Sequence, residues 1–393
     1  MATSQANTET LGRWAASRSA YVDNLKALMI AAIIAGHGFE SYSALEVWAY
    51  GDVRETTLSP VTEAVAYALV APFGLFMIPL LFLVAGLLTP PSLRRKRFGP
   101  YTRDRLLRLG VPLAVFSLLV WPALLYALYR PLGNAGGSYW AELVGGREEA
   151  LDTGYLWFVG DLLLFSLVYA AWVRWGRREP ARVPRGDVTL GHLLLLAAVV
   201  AGTTFVVRLA FPFDSQRFVD LNIYQWPESI ALFALGVVAS GRGWLTGVPD
   251  RLRRRCRTAT LAAVGGFAVF TAVGFATGVV TAEPTWRGGW YLEAFLFAAL
   301  ESALAVFGPV WLLGEAQRRL DRPLRWIGPA VQRSAYGAFL VQGLVLIGLA
   351  VALRPAALPA EVKGLAVAAG GIAGSFGLAM LVLRRVPGAA RVL

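Results

Sequence analysis

The stretch from Tyr21 to Gly38, YVDNLKALMIAAIIAGHG, joins a short polar head to an apolar run that ends at a histidine. Asp23 and Lys26 stand three residues apart, so on a helix they share a face and can pair. Lys26 and His37 stand eleven apart, which is about 16 Å and roughly three turns, so both point broadly the same way across about half the hydrocarbon thickness of a bilayer. A cation at one boundary and an imidazole deep on the same face are costly against lipid and mark a site inside a helix bundle. The plainer reading stays open beside it: Lys26 as a snorkelling anchor and His37 as a polar residue facing other helices.

Outward from this stretch the chain is of one kind. It is 56% hydrophobic and 16% charged over 393 residues, which excludes an ordinary soluble domain and predicts an all-α, polytopic transmembrane helical bundle. Apolar runs bounded by charge or turn residues fall at roughly 21–39, 61–89, 107–129, 154–176, 190–210, 223–240, 258–282, 290–314, 334–353 and 363–383, or about ten spans. Pro72 and Pro79, with Gly74 and Gly86, predict a kink in the second of them. The domain reading is a disordered tail at 1–20, a membrane domain at 21–385 and a C-terminal tail at 386–393.

The net charge of +12 would suit a nucleic-acid partner, but its arginines lie between the apolar runs, where topology accounts for them better. Arg94 to Arg97, Arg174 to Arg185, Arg251 to Arg257 and Arg318 to Arg325 bracket alternate connections, which are expected to be cytoplasmic together with both termini. Acidic or balanced loops around Glu46, Glu148 and Asp220 are then outer. Trp48, Tyr139, Trp140, Tyr155, Trp286 and Trp290 fit the outer interface, and Trp175, Trp244 and Trp326 the inner one. A lone Cys256 and only two histidines, His37 and His192, leave no disulfide framework and no expected metal site.

The ordered set of motifs resembles the membrane acyltransferase-3 family, which includes glucan-modifying and O-antigen-modifying enzymes. The set comprises YVDNLK followed by His37, FLVAGLL (82–88), RDRLLRLGVPL (103–113), GYLWFVGDLLLFSLVYA (154–170) and SAYGAFLVQ (334–342). Three features depart from its pattern: Lys26 stands where arginine is commoner, FLVAG lacks the serine usual before the glycine, and Gln342 stands where histidine is frequent. The resemblance implies an integral membrane O-acyltransferase in a bacterial inner or plasma membrane. It would move an acyl group, acetyl or another short chain, from cytoplasmic acyl-CoA to a hydroxyl of a glycan or lipid-linked acceptor.

Acyl transfer to a hydroxyl needs a base, a stabiliser for the oxyanion and a held donor. His37 is the candidate base, because a desolvated imidazole favours the neutral form that accepts a proton, with Lys26 and Asp23 beside it in the catalytic set. Arg103, Arg105 and Arg108 are the candidate contacts for the phosphates of acyl-CoA, although positive-inside topology demands such residues in any case. Arg208, Asp161, Tyr336 and Gln342 are the candidate acceptor contacts; interfacial anchoring for Arg208 and helix-to-helix hydrogen bonding for the others are the alternatives. A lipid or glycan transporter that uses Asp23, Lys26 and His37 as a coupling relay is the competing function.

Overall fold

Backbone N–H and C=O groups cannot be left unpaired in lipid, and the apolar runs pair theirs within helices. The computed structural model describes residues 20–44, 48–129, 152–176, 187–215, 221–279, 285–325 and 327–389. Most of the N-terminal tail, the loops carrying Glu46, Tyr139, Trp140, Glu148, Arg182 and Asp220, Trp326, and residues 390–393 lie outside them. Among the described residues there is no strand, and nine helices are long and apolar enough to cross a membrane.

In chain order the helices are α1 (Ala20–Glu40), α2 (Pro60–Leu69), α3 (Ala71–Lys96), α4 (Phe98–Leu128), α5 (Trp157–Trp175), α6 (Leu190–Arg208), α7 (Trp226–Ser240), α8 (Asp250–Thr277), α9 (Leu292–Arg319), α10 (Pro329–Leu353) and α11 (Ala360–Arg385). Among the described residues the expected ten spans become nine long helices and two short ones, α2 and α7. Helix α7 has 15 residues, about 22 Å of rise, less than the roughly 30 Å of hydrocarbon. The expected second span is divided at Val70, and Pro79 lies inside the longer piece. Helix α2 stops before Val70, and Pro72 opens α3 in its first turn, where a missing N–H goes unneeded.

Two groups of helices meet along α3. Helices α1, α10 and α11 pack on one another, while α3 packs chiefly against α7 and α9, and α9 in turn against α6 and α8. The closest approach explains the glycine of FLVAG. A Cβ on Gly86 would strike the Phe233 carbonyl oxygen, and one on Gly236 would strike that of Leu83, so α3 and α7 cross backbone to backbone. The residue after His37 serves the same end, since a Cβ on Gly38 would stand 2.7 Å from the Ala368 Cα of α11.

Helix α4 is wound partly in π turns, at Leu106–Gly110 and Phe116–Val120. Such turns are uncommon and frequently lie at functional sites. The first contains Arg108, whose carbonyl accepts a hydrogen bond from the Tyr336 hydroxyl at 2.8 Å. The second presents Phe116 to the aromatic cluster described next.

Candidate active site

The polar head and the histidine of α1 lie in separate surroundings. At the Arg-rich end, Lys26 pairs with Asp23 at 2.9 Å, with 38% and 21% of the side chains exposed. The head is held by its other residues. Asn24, fully enclosed, donates to the carbonyls of Leu320 and Arg322 at 2.8 and 3.0 Å and accepts from Gln332 at 2.8 Å, and the Tyr21 hydroxyl donates to the Leu245 carbonyl at 2.9 Å.

His37 sits toward the opposite end of α1 in a box of aromatic rings. Its imidazole stacks on Trp48 at 4.4 Å and 15°, and Tyr155 stands 6.5 Å away. Trp121, Phe116 and Phe339 close around Tyr155. The Tyr155 hydroxyl donates to the Leu340 carbonyl at 2.7 Å and accepts from the Gly343 amide at 3.2 Å, so both its roles are taken. Between those two α10 residues, Gln342 turns to His37, its Oε1 3.3 Å from Nδ1. A carbonyl oxygen only accepts, so this contact puts the proton on Nδ1 and leaves the lone pair on Nε2.

Trp48, Tyr155 and Trp286 therefore do not belong to an outer aromatic belt, nor Trp244 to an inner one: each is 8% exposed or less. Hydropathy and position along the chain do not tell a ring facing lipid from one facing a neighbouring helix. Among the described residues, Trp290 at 82% and Trp175 at 75% exposure face outward.

Trp48 lies on a segment strapped to the α10–α11 hairpin. Lys363, 2% exposed, pairs with Glu55 at 2.6 Å; the Tyr50 hydroxyl donates to Glu55 at 2.8 Å; Arg354 donates to the Val53 carbonyl at 2.6 Å. Burial opposes ionisation of Glu55, but the hydrogen bonds from Lys363 and Tyr50 and the Lys363 charge outweigh it and hold the carboxyl below its ordinary value. A depressed carboxylate stabilises the fold above the ordinary value of 4.5 and loses that contribution as the pH falls through the lower folded value. Hydrogen exchange of the 48–58 amides, corrected for intrinsic rates, should thus be faster at pH 3 than at pH 7. Equal protection at both would deny the strap.

The remaining candidates lie apart from His37. Arg208 is 1% exposed, pairs with the enclosed Glu301 at 2.6 Å, and is ringed by Phe213, Tyr224 and Phe297 at 5.0 to 5.8 Å. Its charge is met inside the bundle, so neither an interfacial anchor nor an open acceptor contact describes it. Asp161, also enclosed, accepts from the Trp226 indole at 3.1 Å. Tyr336 belongs with Arg108 rather than with His37. His192 caps its own helix, accepting from the Thr189 amide at 3.2 Å.

Among the three donor candidates, Arg105 lies over the Tyr101 ring, Arg108 reaches Asp104 at 3.4 Å, and Arg103 is exposed. A pocket of about 330 Å³ opens at this end between α3, α4 and α5, lined by Arg94, Arg97 and Arg174 with Leu93, Phe98 and Tyr169. RRKR reads in the sequence chiefly as a topology signal and only secondarily as a donor contact, and only the fold brings Arg174 to it.

A family profile described as an acyltransferase domain, acyltransferase-3, matches residues 19–384. No curated protein and no solved structure matches the chain. The matched region runs from the start of α1 to the last turn of α11 and takes in His37, Gln342 and the Arg-lined pocket alike, and the chain belongs to the acyltransferase-3 family of membrane acyltransferases.

Proposed function

We propose that the protein transfers a short acyl group, acetyl or similar, from acyl-CoA to a hydroxyl of a glycan or lipid-linked acceptor, with His37 as the general base. The observation that carries this reading is the contact of His37 Nδ1 with Gln342 Oε1 at 3.3 Å. A base must be held in one tautomer with its lone pair toward the substrate, and an enclosed amide carbonyl on Nδ1 does that. Nε2 takes the acceptor's proton as its oxygen bonds to the thioester carbon. The tetrahedral intermediate then expels the thiolate, which receives the same proton from the imidazolium and leaves as thiol.

The donor's phosphates are assigned to the pocket of Arg94, Arg97 and Arg174, because three guanidinium groups about one cavity match several phosphate charges. Arg103, Arg105 and Arg108 lie near it on α4, where Arg108 and Arg105 already have partners. The Arg-rich end is then the cytoplasmic one, as the charge bias argues. Gln342 serves His37 in this scheme rather than the acceptor.

Lys26 is tested by substitution. Because the Asp23 pair is partly exposed, its loss should cost no more than about 1 kcal/mol of stability. Lys26→Ala should therefore fold; with Lys26 counted in the catalytic set beside His37 it should lose turnover, and Lys26→Arg, which keeps the charge, should retain much of it. Near-normal turnover in both would leave Lys26 as an anchor. The function itself is tested by mass spectrometry of envelope glycans and lipids from cells with and without the protein. Acyl mass increments should vanish without the protein or with His37→Ala; unchanged spectra would contradict the reading.

A further inference from the structure

Attack on a thioester drives negative charge onto the carbonyl oxygen, and a base does nothing to hold it. Around His37, three buried donors lack any hydrogen-bond partner: Trp48 Nε1, Trp121 Nε1 and Gln342 Nε2. Their side chains are 6%, 4% and 0% exposed. They belong to one cluster about the imidazole. Trp48 stacks on the imidazole at 4.4 Å, Trp121 stands 6.5 Å from Trp48, and the Gln342 amide touches His37 at 3.3 Å.

Packing alone does not ask for these groups. A buried N–H without a partner costs the fold free energy, and phenylalanine would keep an aromatic ring at either position without that cost, giving up only the packing of the indole's second ring. The Tyr155 hydroxyl in the same box shows what the fold does with a polar group it can satisfy, giving it two partners. The other three donors are held ready in a dry site, where a hydrogen bond to developing charge is strongest.

We propose that Trp48 Nε1, Trp121 Nε1 and Gln342 Nε2 form the oxyanion site of the acyl transfer, an inference that rests on the reading of His37 as the base. As the acceptor oxygen bonds to the thioester carbon, the carbonyl π pair moves onto oxygen and is met by these N–H groups. When the pair returns to remake the carbonyl, the C–S bond breaks and the thiolate leaves with the proton held by His37. Gln342 then acts through both ends of its amide, orienting the base with its oxygen and holding the intermediate with its nitrogen.

The test uses the full chain in lipid nanodiscs with acetyl-CoA and an extract of envelope glycans and lipids as the acceptor pool, read by thiol release. Trp48→Phe and Trp121→Phe each keep a ring and remove one N–H. Each should lower kcat by on the order of 10²-fold, leave the KM for acetyl-CoA unchanged, and unfold close to the wild-type temperature, because removal of an unpartnered donor offsets the packing lost with the indole's second ring. Undiminished kcat in both variants would overturn the proposal, as would a loss of turnover that follows a lowered unfolding temperature. With His37→Ala alongside, the two readings separate. An inactive His37→Ala beside active Trp→Phe variants removes only the oxyanion site, whereas an active His37→Ala removes the base.

Discussion

His37→Ala is expected to lower acyl transfer by about 10²- to 10⁴-fold, the usual contribution of a positioned base, while the protein still folds. The imidazole is not fully enclosed, and the rings about it brace one another: Trp48 on Tyr155 at 5.6 Å, Trp121 on Phe116 at 5.5 Å. Losing one ring from that box leaves a gap rather than an unpaired charge. His37→Asn sharpens the experiment, because its side-chain amide can still donate to Gln342 Oε1 yet has no basic nitrogen. Both variants should be inactive and nearly as stable as the wild type. Turnover of the His37→Asn variant close to the wild-type rate would show that the position needs only a hydrogen bond and would end its role as base.

The other large effect concerns stability. Arg208→Ala should destabilise the protein by about 3–5 kcal/mol, since it strips the counter-charge from an enclosed carboxylate. Arg208 and Glu301 are 1% and 0% exposed, and Glu228, 2% exposed, feels both of their charges. Without the guanidinium, two carboxylates face one another in a dry site. The combination Arg208→Met with Glu301→Leu should recover most of the loss, because an apolar pair of similar volume needs no desolvation of charge. Glu228→Gln, which removes the carboxylate that one arginine cannot also neutralise, should be neutral or mildly stabilising. Thermal unfolding in detergent orders the variants. A stable Arg208→Ala would mean that the cluster is open to water and not the dry core its burial describes.

Much of the architecture is legible in the chain because a bilayer imposes length and apolarity on every span, and that pattern survives in one dimension. The places where the reading slips are those decided by contacts between distant segments. Helix α7 is largely apolar but short, and it crosses α3 at the close Gly86–Gly236 contact, which no single segment reveals. The chemistry divides in the same way. His37 announces itself as an imidazole in an apolar run, whereas Trp48 reads as one more interfacial aromatic until the strap of Glu55, Lys363 and Arg354 lays it on the imidazole. Gln342 is visible as a costly polar residue, but not its partner, 305 positions away along the chain. Arg208 shows the converse: at a span end it reads as an anchor or a site for an anion, and only the fold supplies Glu301.

The central claim, that this bundle carries out acyl transfer at His37, is tested most directly by thiol release from acetyl-CoA by the purified protein in nanodiscs, with and without envelope extract. Acceptor-dependent release in the wild type, absent in His37→Ala, is the predicted result. No release from well-folded wild-type protein under conditions where labelled glycan or lipid accumulates inside vesicles containing it would contradict the claim and favour transport.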